Sequence, residues 1–211
     1  MGRCTKELVV LVADLDAENA LWGILSRHES LEIRPLKTTD VDIHRHIQRD
    51  SGCYGDAENF LRPFLRTHRH ALVVFDRHGC GCEDKTVSDI ESDVEDRLTR
   101  SGWEGRCRVV VIDPELEAWV WSDSPHVDSE LGWTGGSPEL RQWLVSKGLV
   151  ARGTSKPADP KKAVFAALSA RRKPPSARLF RSLAERVGVD RCTDRSFLKL
   201  KNTLRTWFSP T

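Results

Sequence analysis

Acidic side chains follow three apolar segments of this sequence, at the points where those segments end. These acids are Asp14 and Asp16 after LVVLVA, Asp76 after ALVVF, and Asp113, Glu115 and Glu117 after RVVVI. Carboxylate oxygens are the ligands that Mg²⁺ prefers, and two-metal phosphoryl chemistry needs several of them close together. The acids therefore predict a divalent-cation site. The simpler alternative is that an acid such as Asp76 only caps the next helix or turn.

Two details of the acidic segments bear on which cation would bind. His78 lies two residues after Asp76, and a neutral imidazole suits Mn²⁺, Fe²⁺ or Zn²⁺ better than Mg²⁺. Glu115 and Glu117 share a face if their segment is extended, but they point to different sides if it is helical. The alternative for this pair is a helix start, where the helix dipole favours acids.

The residues His78, Cys80 and Cys82 also form a His-x-Cys-x-Cys pattern. Structural zinc sites more often space their ligands two to four residues apart and use two such pairs. The second pair would have to come from His44 and His46, His68 and His70, or Cys53. We therefore do not expect zinc, and we interpret His44 and His46 as part of a solvated polar segment after the second strand.

Strand and helix patterns alternate through the first 120 residues, which indicates an α/β fold with a parallel sheet. The predicted strands are Leu8–Ala13, Leu31–Leu36, Ala71–Phe75 and Arg108–Ile112, and the predicted helices are Asp16–Arg27, Asp56–Arg66 and Val87–Leu98. Parallel sheets bind ligands beyond the carboxyl ends of their strands. The predicted fold therefore brings the acids to one edge.

The pattern changes after Trp121. A stretch rich in Gly, Ser, Pro and Asp, Ser122–Ser137, indicates a loop, and helices are predicted at Pro138–Lys147, Pro160–Arg172, Ala177–Val187 and Phe197–Phe208. We thus predict a core over residues 1–122, followed by a loop and a basic helical region over residues 123–211.

Charge is distributed unevenly between these parts. Residues 146–211 contain 16 Lys and Arg against four Asp and Glu, whereas the other residues contain 17 basic and 27 acidic side chains. A basic surface binds nucleic acid, or it docks on an acidic partner. The predicted nucleic-acid contacts are Lys156, Arg171, Arg172, Lys173 and Arg178.

Several classes of protein are disfavoured by what the sequence lacks. No run of 18 apolar residues predicts a membrane helix, and the N-terminus does not resemble a signal peptide, so we expect a cytoplasmic protein without a membrane partner. The six cysteines are then expected to be reduced. Phosphate-binding loops of the GxxxxGK[ST] and GxGxxG types are absent, which argues against an ATPase or a dinucleotide-dependent oxidoreductase.

The order of these motifs resembles the Toprim-related family. The motifs are a strand followed by Asp14, a strand followed by FDRHG, and a strand followed by DPELEAWVW, with Glu115, Glu117, Ala118 and Trp119 in the last of them. The resemblance is closer to small bacterial proteins with a Toprim-like core from defence and overcoming-lysogenization systems. Within that group, the sequence most resembles the small Toprim-like component of a methylation-associated antiphage defence system.

This resemblance implies a nuclease that depends on Mg²⁺ or Mn²⁺, with other defence-system subunits and DNA or RNA as partners. Asp14, Asp76 and Glu117 would be catalytic, and the metal ligands would come from Asp16, Asp76, His78, Glu115 and Glu117. The chain departs from the family pattern at His78, where the family has a second acid, and after the first strand, where the family has Glu. A catalytically degraded scaffold that binds partner proteins or nucleic acid is therefore the alternative, and a homo-oligomer stays open.

Overall fold

Four strands form one parallel sheet in the order β2-β1-β3-β4 in the computed structural model, which describes residues 5–121, 124–135, 137–154, 156–187 and 192–210. The strands are β1 (Lys6–Val12), β2 (Val41–Arg45), β3 (His68–Asp76) and β4 (Cys107–Ile112). Val10 of β1 lies opposite Ile43 of β2 and Leu72 of β3. β1, β3 and β4 are apolar and buried on both faces, as parallel strands require. The predicted α/β class with a parallel sheet is confirmed.

The second strand lies elsewhere than the sequence predicted. Leu31–Leu36 is not a strand, because Leu31 ends a short helix and Glu32 turns the chain with a left-handed φ of 56°. β2 is instead Val41–Arg45, so His44 lies within it and a buried His46 follows it. The prediction of a solvated polar segment at these histidines is therefore wrong.

Helices cover both faces of the sheet. Their bounds are α1 (Leu15–Leu25), α2 (His28–Leu31), α3 (Arg49–Gly55), α4 (Ala57–Leu61), α5 (Val87–Leu98), α6 (Pro125–Glu130), α7 (Leu140–Ser146), α8 (Pro160–Ala170), α9 (Ala177–Arg186) and α10 (Arg195–Trp207). One apolar cluster joins one face of the sheet to α1, α8, α9 and α10, and a second joins the opposite face to α3, α4 and α5. The result is three layers, with the sheet in the middle.

Two predicted segments need correction. The predicted helix Asp56–Arg66 ends at Leu61 and continues as a 3₁₀ turn, Arg62–Phe64, because Pro63 cannot donate a helical hydrogen bond. The predicted loop Ser122–Ser137 contains helix α6, whose first turn Ser124 caps by accepting the N–H of His126. Ser122, Asp123 and Gly136 of that loop lie outside the described residues.

The C-terminal helices share the core of the sheet. Val10 and Val110 of the strands and Ala163 and Phe197 of α8 and α10 belong to the same apolar cluster. Gly23 of α1 lets α9 approach closely, because a Cβ there would lie 2.7 Å from the Cβ of Ala184. The division at residue 122 stays a prediction. No helix in the described part of the chain is long and apolar enough to cross a bilayer.

Side chains close the outer edge of β4. The N–H of Val109 donates to Oε1 of Glu95 at 2.9 Å, and the N–H of Val111 donates to Oε1 of Glu91 at 3.1 Å. Nζ of Lys199, from α10, lies 3.1 Å from Glu91 and 3.2 Å from Glu95. These contacts tie α5, β4 and α10 together. They also occupy backbone groups that an edge strand otherwise leaves open.

Candidate metal centre

The acids that follow the strands meet at the carboxyl edge of the sheet. Asp76 is the last residue of β3, and Glu115 and Glu117 follow β4. Because all strands are parallel, their carboxyl ends lie at the same edge, and ligands of such sheets bind there. The fold therefore places three of the sequence-predicted residues together.

Asp76, Glu115 and Glu117 form a compact group of carboxylates. One oxygen of each lies within 4.8 Å of one oxygen of the other two. Glu115 is 7% exposed and Glu117 is 4% exposed, while Asp76 is half-buried. Glu115 has extended backbone and a 3₁₀ turn, Leu116–Trp119, begins directly after it, so the segment is neither a strand nor a regular α-helix. The two glutamates converge through this change of conformation.

Negative charge at this group is destabilised by its surroundings. Burial raises the pKa of Asp76 well above its usual range, and the neighbouring charges of Asp50 and Glu117 raise it further. Burial also raises the pKa of Glu117. All three side chains offer hard oxygen ligands, which fit Mg²⁺ or Mn²⁺ better than softer metals. The triad could therefore hold a divalent cation, and a cation would neutralise the crowded charge.

Asp50 is a member of this edge that the sequence analysis missed. It lies in the first turn of α3, and its Oδ1 accepts the backbone N–H of Asp76 at 2.8 Å. Burial raises the pKa of Asp50, with a further increase from Asp14. The signal that could have found it is the position of β2. With that strand at Val41–Arg45, Asp50 would have been recognised as another acid near a strand end.

Lys161 brings a positive charge to the same edge from the first turn of α8. Its Nζ lies 2.8 Å from Oε2 of Glu115. Burial works against its charge, but the hydrogen bond to Glu115 and the negative charge of Glu117 outweigh burial and raise the pKa of Lys161. The side chain is therefore a cation at neutral pH. The sequence analysis counted it only as part of a basic region, because no local pattern shows that α8 folds back onto the strand ends.

The two aspartates after β1 lie at this edge but outside the triad. Asp14 is the N-cap of α1, and its Oδ1 accepts the N–H groups of Asp16 and Ala17, both at 3.0 Å. Asp16 is half-buried, and burial together with the charge of Asp14 raises its pKa. Asp14 therefore has a clear structural role in addition to its place at the edge.

His78 is exposed and is not part of the triad. Its backbone N–H donates to the carbonyl of Pro114 at 3.0 Å, which extends the pairing of β3 with the chain after β4. Cys80 is buried and Cys82 half-buried, and the five described cysteines are free thiols, with Cys4 outside the described residues. Within the described residues, Asp76, Glu115 and Glu117 are the single group of three metal-ligating side chains.

Three of the predicted nucleic-acid contacts lie at the far end of α8 from the acids. Arg171, Arg172 and Lys173 follow the last residue of α8, whereas Lys161 lies in its first turn, about 15 Å away along the helix axis. Some of these cations are engaged within the fold: Lys156 Nζ lies 2.8 Å from Asp194, the Arg171 guanidinium lies over the ring of Trp133, and Lys173 Nζ donates to the carbonyl of Glu130. Arg172 and Arg178 are exposed.

Comparisons with known protein families, with curated proteins and with solved structures find no match to this chain.

Proposed function

We propose that this protein is a nuclease that binds Mg²⁺ or Mn²⁺ at the carboxyl edge of its sheet and cleaves phosphodiester bonds. The observation that carries this proposal is the triad of Asp76, Glu115 and Glu117, with oxygens within 4.8 Å of one another. Burying several carboxylates together is costly unless a cation or protons neutralise them. Unlike protons, a divalent cation would neutralise these carboxylates and also promote the reaction of a bound phosphate.

The surrounding residues support this reaction. When bound, a divalent cation lowers the pKa of a bound water and stabilises charge on phosphoryl oxygens. Glu117, whose pKa is raised by burial, is suited to take up and return a proton beside the reacting phosphate. Lys161 places positive charge next to Glu115, where it would attract the substrate phosphate. Asp14 and Asp16 complete the acidic edge beside α1.

The wider role that we propose is that of a Toprim-like component of a cytoplasmic bacterial antiphage defence system. It is supported by the parallel sheet with acids after β1, β3 and β4, together with the resemblance of the PELEAWVW segment to that family. Other subunits of the system and phage DNA or RNA would be the partners. In this setting the nuclease would act on invading nucleic acid.

A nuclease assay with an isosteric variant of the triad tests the proposal. Purified protein is incubated with plasmid, linear and single-stranded DNA and with RNA, in Mg²⁺ and in Mn²⁺. We expect metal-dependent cleavage that falls at least 100-fold in Asp76→Asn, because the variant lacks one anionic ligand. Asp113→Asn is the matched control. Asp113 lies at the end of β4 as Asp76 lies at the end of β3, but Asp113 is exposed and pairs with Arg77. Equal cleavage by Asp76→Asn and the wild type would contradict the proposal.

A second candidate is a catalytically inactive scaffold. The observation that favours it is the contact of Lys161 with Glu115, because an internal ammonium group already balances part of the acidic charge. The exposure of His78, at the place of the second family acid, points the same way. No cleavage under any condition, with a stable co-purifying partner that Asp76→Asn does not release, would favour the scaffold.

A further inference from the structure

A large apolar side chain projects into solvent beside the acidic edge. Ile47 is 94% exposed, and Leu15, across the same edge, is 46% exposed. Phe165 and Leu198 are the other exposed large hydrophobic side chains among the described residues, and they lie on α8 and α10. A single exposed apolar residue needs no explanation. Two exposed apolar side chains beside a candidate active site do need an explanation.

The backbone around Ile47 is held in place by its neighbours. His46 is buried, and its Nδ1 accepts the N–H of Gln48 at 3.1 Å. The imidazole fills the space above Gly52, where a Cβ would lie 1.8 Å from Nδ1. Arg49 has a left-handed φ of 52°, a conformation that side chains rarely adopt. The loop is thus built so that Ile47 points outward.

This loop borders a polar cleft at the carboxyl edge of the sheet, the edge that also carries the candidate metal centre. The lining residues that matter here are Asp14, Asp16, Glu18, Arg45, Ile47 and Arg49. Asp14 and Asp16 belong to the acidic edge, and Asp50, which follows Arg49, accepts the backbone N–H of Asp76, so the cleft lies beside residues that support the triad. Arg45 and Arg49 lie on either side of Ile47 in the chain, and both are exposed. Arg45 Nε lies 2.9 Å from Oε2 of Glu18, so the cleft combines Arg49, an ion-paired Arg45 and the apolar side chain of Ile47.

We propose that the loop from Arg45 to Arg49 is the substrate-binding element and that its ligand is a polynucleotide strand. Arginine side chains bind phosphates, and apolar side chains such as Ile and Leu insert against or between bases. Arg49 would contact one phosphate, Arg45 would leave Glu18 to contact the next, and the base between them would rest on Ile47. This inference rests on the proposed nuclease function and names where its substrate binds.

The binding of fluorescein-labelled DNA tests this inference, measured by fluorescence anisotropy with single-stranded and duplex probes. Ca²⁺ serves as the hard cation, and a gel shows that the probe stays intact. We expect Ile47→Glu to weaken binding of at least one probe about 10-fold or more, and Ile47→Ala to weaken the same probe about threefold or more. A tenfold loss of affinity corresponds to about 1.4 kcal/mol.

Leu198→Glu is the matched control, because it adds the same charge at an exposed leucine outside the cleft. Arg49→Gln should lower the salt dependence of binding by about one phosphate contact. The inference is overturned if Ile47→Glu binds both probes like the wild type, or if Leu198→Glu weakens binding equally.

Thermal stabilisation by Mn²⁺ is measured on each variant. Retention of the Mn²⁺ effect in Ile47→Glu separates a failure of the loop from a failure of the metal centre.

Discussion

At the scale of single residues, the negative charge of the acids at the carboxyl edge is partly offset by the positive charge of Lys161. Burial raises the pKa of both Asp76 and Glu117; Asp50 and Glu117 raise that of Asp76 further, and Glu115 and Asp16 raise that of Glu117 further. Lys161 offsets part of this repulsion through Glu115. A divalent cation and Lys161 therefore stabilise the same carboxylates, and the effect of one depends on the presence of the other.

This balance predicts the result of removing the lysine charge. Lys161→Met should lower the free energy of unfolding by about 1 kcal/mol at neutral pH without divalent cations, because a half-exposed ion pair is lost. Lys162→Met, at the exposed neighbouring position, should change it by less than about 0.5 kcal/mol. Urea denaturation with and without Mn²⁺ measures both. Saturating Mn²⁺ should reduce the loss in Lys161→Met, and an unchanged loss would argue against a shared charge balance.

At the scale of elements, β3 and α10 meet through an unusual histidine. The ring of His70 stacks on Trp207, with centroids 4.5 Å apart and planes 17° apart, and its Nδ1 is buried without a hydrogen-bond partner. Burial, then the charges of Arg69 and Arg106, lower the pKa of His70 to about 4. The neutral ring therefore suits this contact and the protonated ring does not.

The low pKa of His70 makes this contact sensitive to acid. The unfolded chain binds a proton at a pKa of about 6.5, so stability is lost as pH falls from about 6.5 to about 4. By pH 5 the loss from this group is on the order of 2 kcal/mol. His70→Phe should keep the ring contact and remove that loss. Urea denaturation at pH 5 and pH 7.5 measures it, and His126→Phe, at an exposed site, is the control. Parallel pH profiles for His70→Phe and the wild type would contradict the assignment.

Element by element, local sequence patterns account for part of the fold. β1, β3 and β4 were predicted to within three residues at each end, because continuous apolar runs identify strands buried on both faces. β2 was missed because VDIHR is an edge strand of mixed polarity, and Asp50 was missed with it. Asp76, Glu115 and Glu117 could be predicted from their positions after strands. Lys161 could not, because its contact depends on how distant helices pack.

At the scale of the whole molecule, the acidic edge couples stability to pH and to cations. A carboxyl group whose pKa is raised by folding binds its proton more tightly in the folded state. Its contribution to stability therefore falls as pH rises from about 4 through the raised pKa. Asp16, Asp50, Asp76 and Glu117 all act in this direction. A bound divalent cation would cancel this loss.

Stabilisation by Mn²⁺ should accordingly increase with pH. We expect the rise in Tm on adding saturating Mn²⁺ to be small near pH 5 and several degrees larger near pH 8, where each kcal/mol is worth about 2–4 °C. Differential scanning calorimetry at both pH values measures it. Asp76→Asn should show little Mn²⁺ effect at either pH and should be more stable than the wild type without cations. A Mn²⁺ effect of equal size at both pH values would contradict the coupling.

The closure of the β4 edge by Glu91, Glu95 and Lys199 limits how copies of this protein can join. Edge strands are the places where sheets of separate chains add to each other. β4 is occupied in this way, and β2 is the other edge strand of the sheet. Two copies that pair through β2 use up the open edge of both. Growth by strand addition would then stop at two chains, because neither copy would keep a second open edge.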